Sequence, residues 1–495
     1  MPRSNTASTR CTRTAVVTVV TLSLTTTALA APPELNGPGA RSQLRDFIES
    51  IDESVPAEFA ADFLIRAASS RRAAAEDPAW LASVLEQAFV LGGSAQEQRL
   101  RRALPWIHGS TLEAVVSIGR IRGLDKTSLQ ARAIDGLISI EPRRAIELLK
   151  RVPTTVPRLE CADTLMYDAE PPYQTMGVLI RSLQAPPPNL RDADDERLAR
   201  ELLQSRIADI GTSAELAPAI SAVLMVNLPA QEINAVITTL TERLGAIYDD
   251  DWTFTGNLLR TWGAVQRLVH AFGGAHRIAV ADLVGSFRSY LVTHFQTRRC
   301  SLSGHDSGAI LDMEQVVFAQ TNALLAAHSQ PLLRREELRG SHTIASVRPT
   351  ELWRSPRASN VREALDALGM IEISASRLAP QRMLARAALY AALLQWTTAD
   401  ERSSRLYFHQ RCLAFIATAR LDATLRAEAL GELAALLTRY AEFARPVEWI
   451  AHVSTVLDAA RANTVMRSYA QRAFQESGNP ILMRYARLEA ILNQG

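Results

Sequence analysis

Apolar side chains recur at helical spacing from Ser42 almost to the C-terminus, with only short turns between one run and the next. Leu44, Phe47, Ile48 and Ile51 make the first i, i+3, i+4, i+7 stripe, and Phe59, Phe63, Leu64 and Ala67 the second. Leu198, Leu202, Leu203, Ile207 and Ile210 make another, opened by Asp192 or Asp194 and closed by Gly211 in the left-handed conformation. Near the C-terminus Trp449, Val453, Val456 and Leu457 follow Pro446, and Ile481, Tyr485, Leu488 and Leu492 follow Asn479-Pro480. A helix with one oily stripe has to bury it against its neighbours, so the sequence commits to an all-α fold. Strand patterns are nearly absent; MIEISAS (370–376) alternates briefly and has no partner.

Helices joined by short turns pair into hairpins, as in 127–153, where Pro142 starts the second helix and Pro153 closes it. Stacking such hairpins extends one core without limit. An irregular α-solenoid of stacked helical hairpins is therefore expected, with one or two irregular helical bundles as the alternative. No fixed repeat period survives counting. Prolines crowd residues 153–191, and residues 334–360 mix Gly, Ser, Pro and charge as a linker does. This divides the chain into an N-terminal helical domain (42–333), a linker (334–360) and a C-terminal helical domain (361–495).

The N-terminus predicts export. Arg3, Arg10 and Arg13 precede the apolar run 15–30, Ala28-Leu29-Ala30 offers a cleavage site, and residues 31–41 form a Pro/Gly-rich tether. Residues 1–30 read as a signal peptide cleaved after Ala30, which places the mature chain in the periplasm or outside the cell. No later segment is apolar for eighteen residues, so no stable membrane span is expected after cleavage. The formal charge of +2 belongs to the precursor; the removed segment carries three arginines and no acid, leaving −1. The remaining arginines are dispersed among acids without a basic block, which argues against nucleic-acid binding.

Three stretches hold residues capable of chemistry. In THFQTRRCSLSGHDSG (293–308), His294, Cys300 and His305, with Asp306, are the residue types that bind zinc, but neither Cys-x2-4-Cys nor His-x3-5-His spacing occurs. Ser307 lacks the flanking glycines of a nucleophile elbow. The stretch reads better as a polar loop that leaves one helix and enters the next, with Asp306 or Ser307 as cap. Cys300 and Cys161 both fall in loops, whereas Cys412 sits among Leu413, Phe415 and Ile416 as a core thiol. In an oxidising compartment Cys161–Cys300 is the expected disulfide; a free Cys300, its thiolate favoured by Arg298 and Arg299, is the alternative. YDDDWTF (248–254) lacks the alternate spacing of a calcium loop and suits a helix cap. In ECADTLMYDAEPPY (160–173), Glu160, Asp163, Asp168 and Glu170 beside Tyr167 and Tyr173 are the carboxylates a glycosidase would use.

The hairpin at 127–151, PVEW at 446–449 and SGNP at 477–480 together resemble an uncharacterised group of secreted bacterial all-helical proteins. That resemblance implies export and a helical fold and says nothing about mechanism. The expected function is non-catalytic: an extracytoplasmic binding or scaffold protein for an unidentified protein, peptide or cell-envelope component, without a cofactor. The alternative is a glycan-cleaving hydrolase on a helical scaffold, using the carboxylates of 160–170.

Overall fold

Caps set the helix boundaries in the computed structural model. It describes residues 42–103, 120, 123–153, 159, 161, 165–187, 189, 192–249, 251–297, 299–302, 306–338, 342–345, 471–472, 474–476 and 480–493. Residues 1–41, His305, the segment 370–376, Cys412, the PVEW motif and most of the expected linker and C-terminal domain lie outside the described residues.

The described chain is all-α apart from two short strand pairs. Helices α1 (Gln43–Glu49), α2 (Ala57–Ala68) and α3 (Pro78–Gly93) lead, with Asp77 capping α3 ahead of Pro78. Then come α4 (Lys126–Leu137), α5 (Pro142–Arg151), α6 (Glu170–Gln184), α7 (Ala193–Ala208), α8 (Ser213–Met225) and α9 (Ala230–Ala246). The run continues through α10 (Thr253–Phe272), α11 (Arg277–Gln296) and α12 (Asp306–Ala327), and α13 (Pro480–Asn493) is last. Asp125 accepts the Ser128 amide at 2.8 Å to start α4. Asp192 accepts two amides to start α7, and Thr212 with Glu215 forms a capping box on α8.

From α4 onward, alternate helices touch: α4, α6, α8, α10 and α12 succeed one another in one row, and α5, α7, α9 and α11 in a second. Consecutive helices bridge the rows, so each stripe is sealed on two sides and a single large core runs from α1 through α12. The crossings are close where side chains are missing. A Cβ on Gly92 would lie 2.8 Å from that of Leu129, which lets α3 press directly onto α4. Arg206 on α7, itself buried, donates to the carbonyls of Leu149 and Val152 at 2.7 and 2.6 Å and so satisfies the C-terminal end of α5.

The last helix packs on the first two. Tyr485 meets the Phe63 ring edge-on at 4.5 Å and donates its hydroxyl to Asp62 at 2.9 Å, while Arg66 pairs with Glu489. Arg132 on α4 holds the other oxygen of Asp62 at 2.7 Å. Burial pushes the Asp62 carboxyl up, but Arg132 and Arg66 outweigh it and hold it below its ordinary value.

Three local expectations change. Residues 299–302 form β3 rather than a loop, pairing in parallel with β4 (His342–Ala345) inside the expected linker. Residues 165–167 form β2, antiparallel to β1 (Leu100–Arg102), because Leu165 and Met166 are apolar enough to be buried on both faces. Gly211 is not left-handed: Gly123 is the one glycine with positive φ among the described residues. Asp209 already closes α7, and the Gly211 amide turns instead to the Glu215 carboxylate at 3.0 Å.

Candidate functional site

The acid-rich stretch 160–173 is where the described charges converge. Strand β2 lies against β1, and the Asp168 amide donates to the Arg99 carbonyl at 3.0 Å, which brings the arginines flanking β1 to the entrance of α6. Arg99 Nε donates to Asp168 Oδ2 at 3.2 Å and Arg120 Nε donates to the same oxygen at 2.6 Å. Arg99 Nη1 also reaches Ser128 Oγ at 2.5 Å and Asp125 Oδ2 at 3.5 Å, tying the entrance of α4 to that of α6. Arg101 donates to Asn257 of α10, and its Nε is buried without a partner among the described residues. Arg260, one turn further along α10, bonds Glu170 Oε2 at 3.0 Å.

Electrostatics assign different work to the two acids. Burial raises the Asp168 carboxyl, but Arg99, Arg120 and Arg101 together hold it below the usual carboxylate value. It stays ionised and enclosed, the opposite of a general acid, whose pKa has to be raised. Burial pushes the Asp125 carboxyl up against the opposing pull of Arg99 and Ser128. Arg101 is pushed down to about 10 by burial and by the like charges of Arg260 and Arg120, against the pull of Asp168 and Glu170. Glu170, with 40% of its side chain exposed, remains at the surface. Glu160 and Asp163 lie outside the described residues.

Glu170 and Arg260 stand at the edge of a groove of about 360 Å³ that crosses α6, α8 and α10. Its apolar wall includes Pro218, Met225 and Leu259, the last 46% exposed, and its polar edge adds Gln174, Ser221 and Arg267. Pro218, inside α8, has no amide to give the Ala214 carbonyl four residues back. A larger recess of about 530 Å³ lies between α5 and α7, lined by Lys150, Arg151, Ser205 and Arg206.

Of the candidate metal residues, His294 and Cys300 are among the described residues and His305 is not. Cys300 is disulfide-bonded to Cys161 with Cα atoms 5.4 Å apart, so the expected bridge forms and the thiolate needed for a metal ligand or a reactive cysteine is gone. Trp252, fully buried, donates its indole N–H to the Cys161 carbonyl at 2.7 Å and packs with Ala103, Met166 and Cys300 in a second small core. His294 is buried on α11. Its Nδ1 lies 2.9 Å from the Tyr290 carbonyl, and its Nε2 is 3.4 Å from Asp249 Oδ2 but poorly aligned for a hydrogen bond.

Ser213, Asp249 and His294 are the residue types of a hydrolytic triad in the wrong order of bonding. The Ser213 hydroxyl bonds Asp249 and lies 2.5 Å from the Tyr290 hydroxyl, while no more than 4% of any of the three residues is exposed. Burial and the neighbouring Asp249 charge push the Tyr290 phenol well up, so it stays neutral. In the aspartate run, Asp251 caps α10 through the Thr253 amide at 2.7 Å, and Asp249 reaches across to the Ser213 amide at the start of α8.

Arg99, Arg120, Asp125 and Asn257 were invisible as site residues in the sequence, because nothing in one dimension brings 99, 120, 168 and 257 together. The one available signal was Arg101-Arg102, two adjacent arginines beside an apolar residue. No protein family, curated protein or solved structure matches this chain.

Proposed function

We propose that the chain is an exported, non-catalytic helical protein, its two rows forming part of an α-solenoid, and that it binds a peptide, a protein or a cell-envelope component. The groove across α6, α8 and α10 carries this reading: one row of parallel-stacked neighbours offers an apolar wall with a few polar groups along its edge, as binding sites do. The described acids of the 160–170 stretch support it from the other side, since Asp168 is enclosed by two arginines and Glu170 is paired with a third. Among the described residues no helix is long and apolar enough to cross a membrane.

The test uses full-length protein expressed with its N-terminus intact. N-terminal sequencing of the exported product is expected to begin at Ala31. Purified protein incubated with a tryptic casein digest or with peptidoglycan is expected to retain material without altering its mass. Cleavage of either substrate that is lost in Glu170→Gln overturns the non-catalytic reading.

A further inference from the structure

We propose that the groove across α6, α8 and α10 recognises a short acidic peptide segment, with Arg267 and Arg260 gripping a carboxylate while neighbouring apolar side chains rest on Pro218, Met225 and Leu259. The inference rests on the binding reading above and names the ligand chemistry for the same groove.

Charge is the first ground. Four guanidinium groups (Arg99, Arg101, Arg120 and Arg260) and three carboxylates (Asp125, Asp168 and Glu170) form one cluster that meets the groove at Arg260 and Glu170, and Arg267 adds a fifth cation on the groove itself. The excess is felt inside the protein: Arg101 is held down to about 10, with Arg260 and Arg120 among the causes after burial. An anion entering here would relieve that repulsion.

The second ground is what the two groove arginines do. Arg267 is exposed and has no hydrogen bond or ion pair among the described residues. Its guanidinium folds back along α10: Nη1 lies 3.7 Å from where a Cβ on Gly263 would stand, and beyond the adjoining residues and backbone of α10 itself no other atom lies within 4 Å of that point. The missing side chain at Gly263 thus leaves room for a cation on the groove. Arg260 donates once, to Glu170, which steadies it while four of its five N–H donors remain. Two guanidiniums on one helix, two turns apart, sharing a groove with an apolar wall, match a carboxylate flanked by apolar residues. A volume of about 360 Å³ is at the small end for ligand sites, enough for one or two side chains and too small for a folded domain's edge.

Fluorescence anisotropy on the full-length protein tests this with two fluorescein-labelled pentapeptides, one with a central glutamate between leucines and its twin with glutamine. The glutamate peptide is expected to bind about tenfold more tightly, the factor of one charge-assisted pair, and to lose that advantage as salt is raised. Arg267→Ala should abolish the preference and Arg267→Lys keep part of it, with unchanged thermal melting, since Arg267 makes no contact that folding needs. Equal binding of the twins, or a preference untouched by Arg267→Ala, overturns the carboxylate inference and leaves peptide binding by the groove standing. Binding of neither peptide at millimolar concentration overturns the peptide inference, and the retention assay with casein digest and peptidoglycan then decides separately whether the binding reading stands.

Discussion

Removing the Cys161–Cys300 bridge should be the most destabilising two-residue change available outside the main core. The cysteines are 139 residues apart, and α6 to α11 all lie between them. Closing a loop of that length removes denatured-state entropy worth about 5 kcal/mol at 25 °C, an upper bound because unfolded chains keep some order. Alanine is the right replacement: Cys300 is 1% exposed beside Trp252, Met166 and Ala103, where a serine hydroxyl would be buried among apolar groups. The Cys161→Ala/Cys300→Ala protein is expected to lose about 3–5 kcal/mol in urea unfolding followed by circular dichroism. Reductant should lower the wild-type midpoint toward that of the variant and leave the variant unmoved. Hydrogen exchange of the Trp252 indole N–H, bonded to the Cys161 carbonyl, should accelerate in step. A loss below about 1 kcal/mol, or a wild-type midpoint indifferent to reductant, would refute the argument that this bridge restrains the loop.

Asp168→Asn leaves Arg99 and Arg120 without their shared anion and should cost about 3–5 kcal/mol at pH 7 by urea unfolding. Because the folded Asp168 pKa is depressed, its contribution is complete above the ordinary aspartate value and is lost as pH falls through the folded one. The gap between wild type and variant should therefore narrow on going from pH 7 to pH 3. Arg206→Met keeps the stem but strands the Leu149 and Val152 carbonyls, an expected loss of about 2–4 kcal/mol in the same assay. Gly256→Ala places a Cβ against Met166 Sδ and 2.9 Å from both Cα and O of Ala103, so α10 must move off Ala103, the residue after β1; about 1–3 kcal/mol should be lost, and an unchanged melting temperature would show the contact to be slack. Tyr485→Phe removes the hydroxyl held by Asp62 and should cost about 1–2 kcal/mol, read as faster amide exchange confined to α13.

The helices were legible because their information is local. Stripes such as Phe59, Phe63, Leu64 and Ala67, and caps such as Asp192, need only a few neighbouring residues to declare themselves, and both are found as expected. The disulfide was legible by elimination, since two cysteines lay between helical patterns and one within. Both strand pairs were not. LMY at 165–167 is too short for a period of two to register, and it is a strand only because 100–102 lies beside it, more than sixty residues earlier. The arginine cluster escaped for the same reason, joining residues 99 and 120 of one connection to 168 of another and to 257 inside α10.

The acid-rich stretches that suggest catalysis or calcium have a common origin in how one row of helices is built. Asp125 and Asp168 stand before α4 and α6 and are joined by Arg99; Tyr173 of α6 bonds Glu215 at the start of α8; Asp249, just ahead of α10, reaches the first amide of α8. The N-terminal ends of α4, α6, α8 and α10 therefore gather on one side, each presenting unpaired amides and the positive end of a helix dipole. Acids at those entrances, Asp125, Asp168, Glu215 and Asp251, answer that need helix by helix. Their mutual repulsion is relieved by arginines from the connections, and the same connections contribute Ala103, Met166, Trp252 and Cys300 to the second small core. Acids recurring at roughly the spacing of a hairpin are thus the imprint of stacked helix entrances. The groove lies outside that pattern: Arg267 is nearly four turns into α10, caps nothing and pairs with nothing among the described residues, so the demands of folding do not account for its charge.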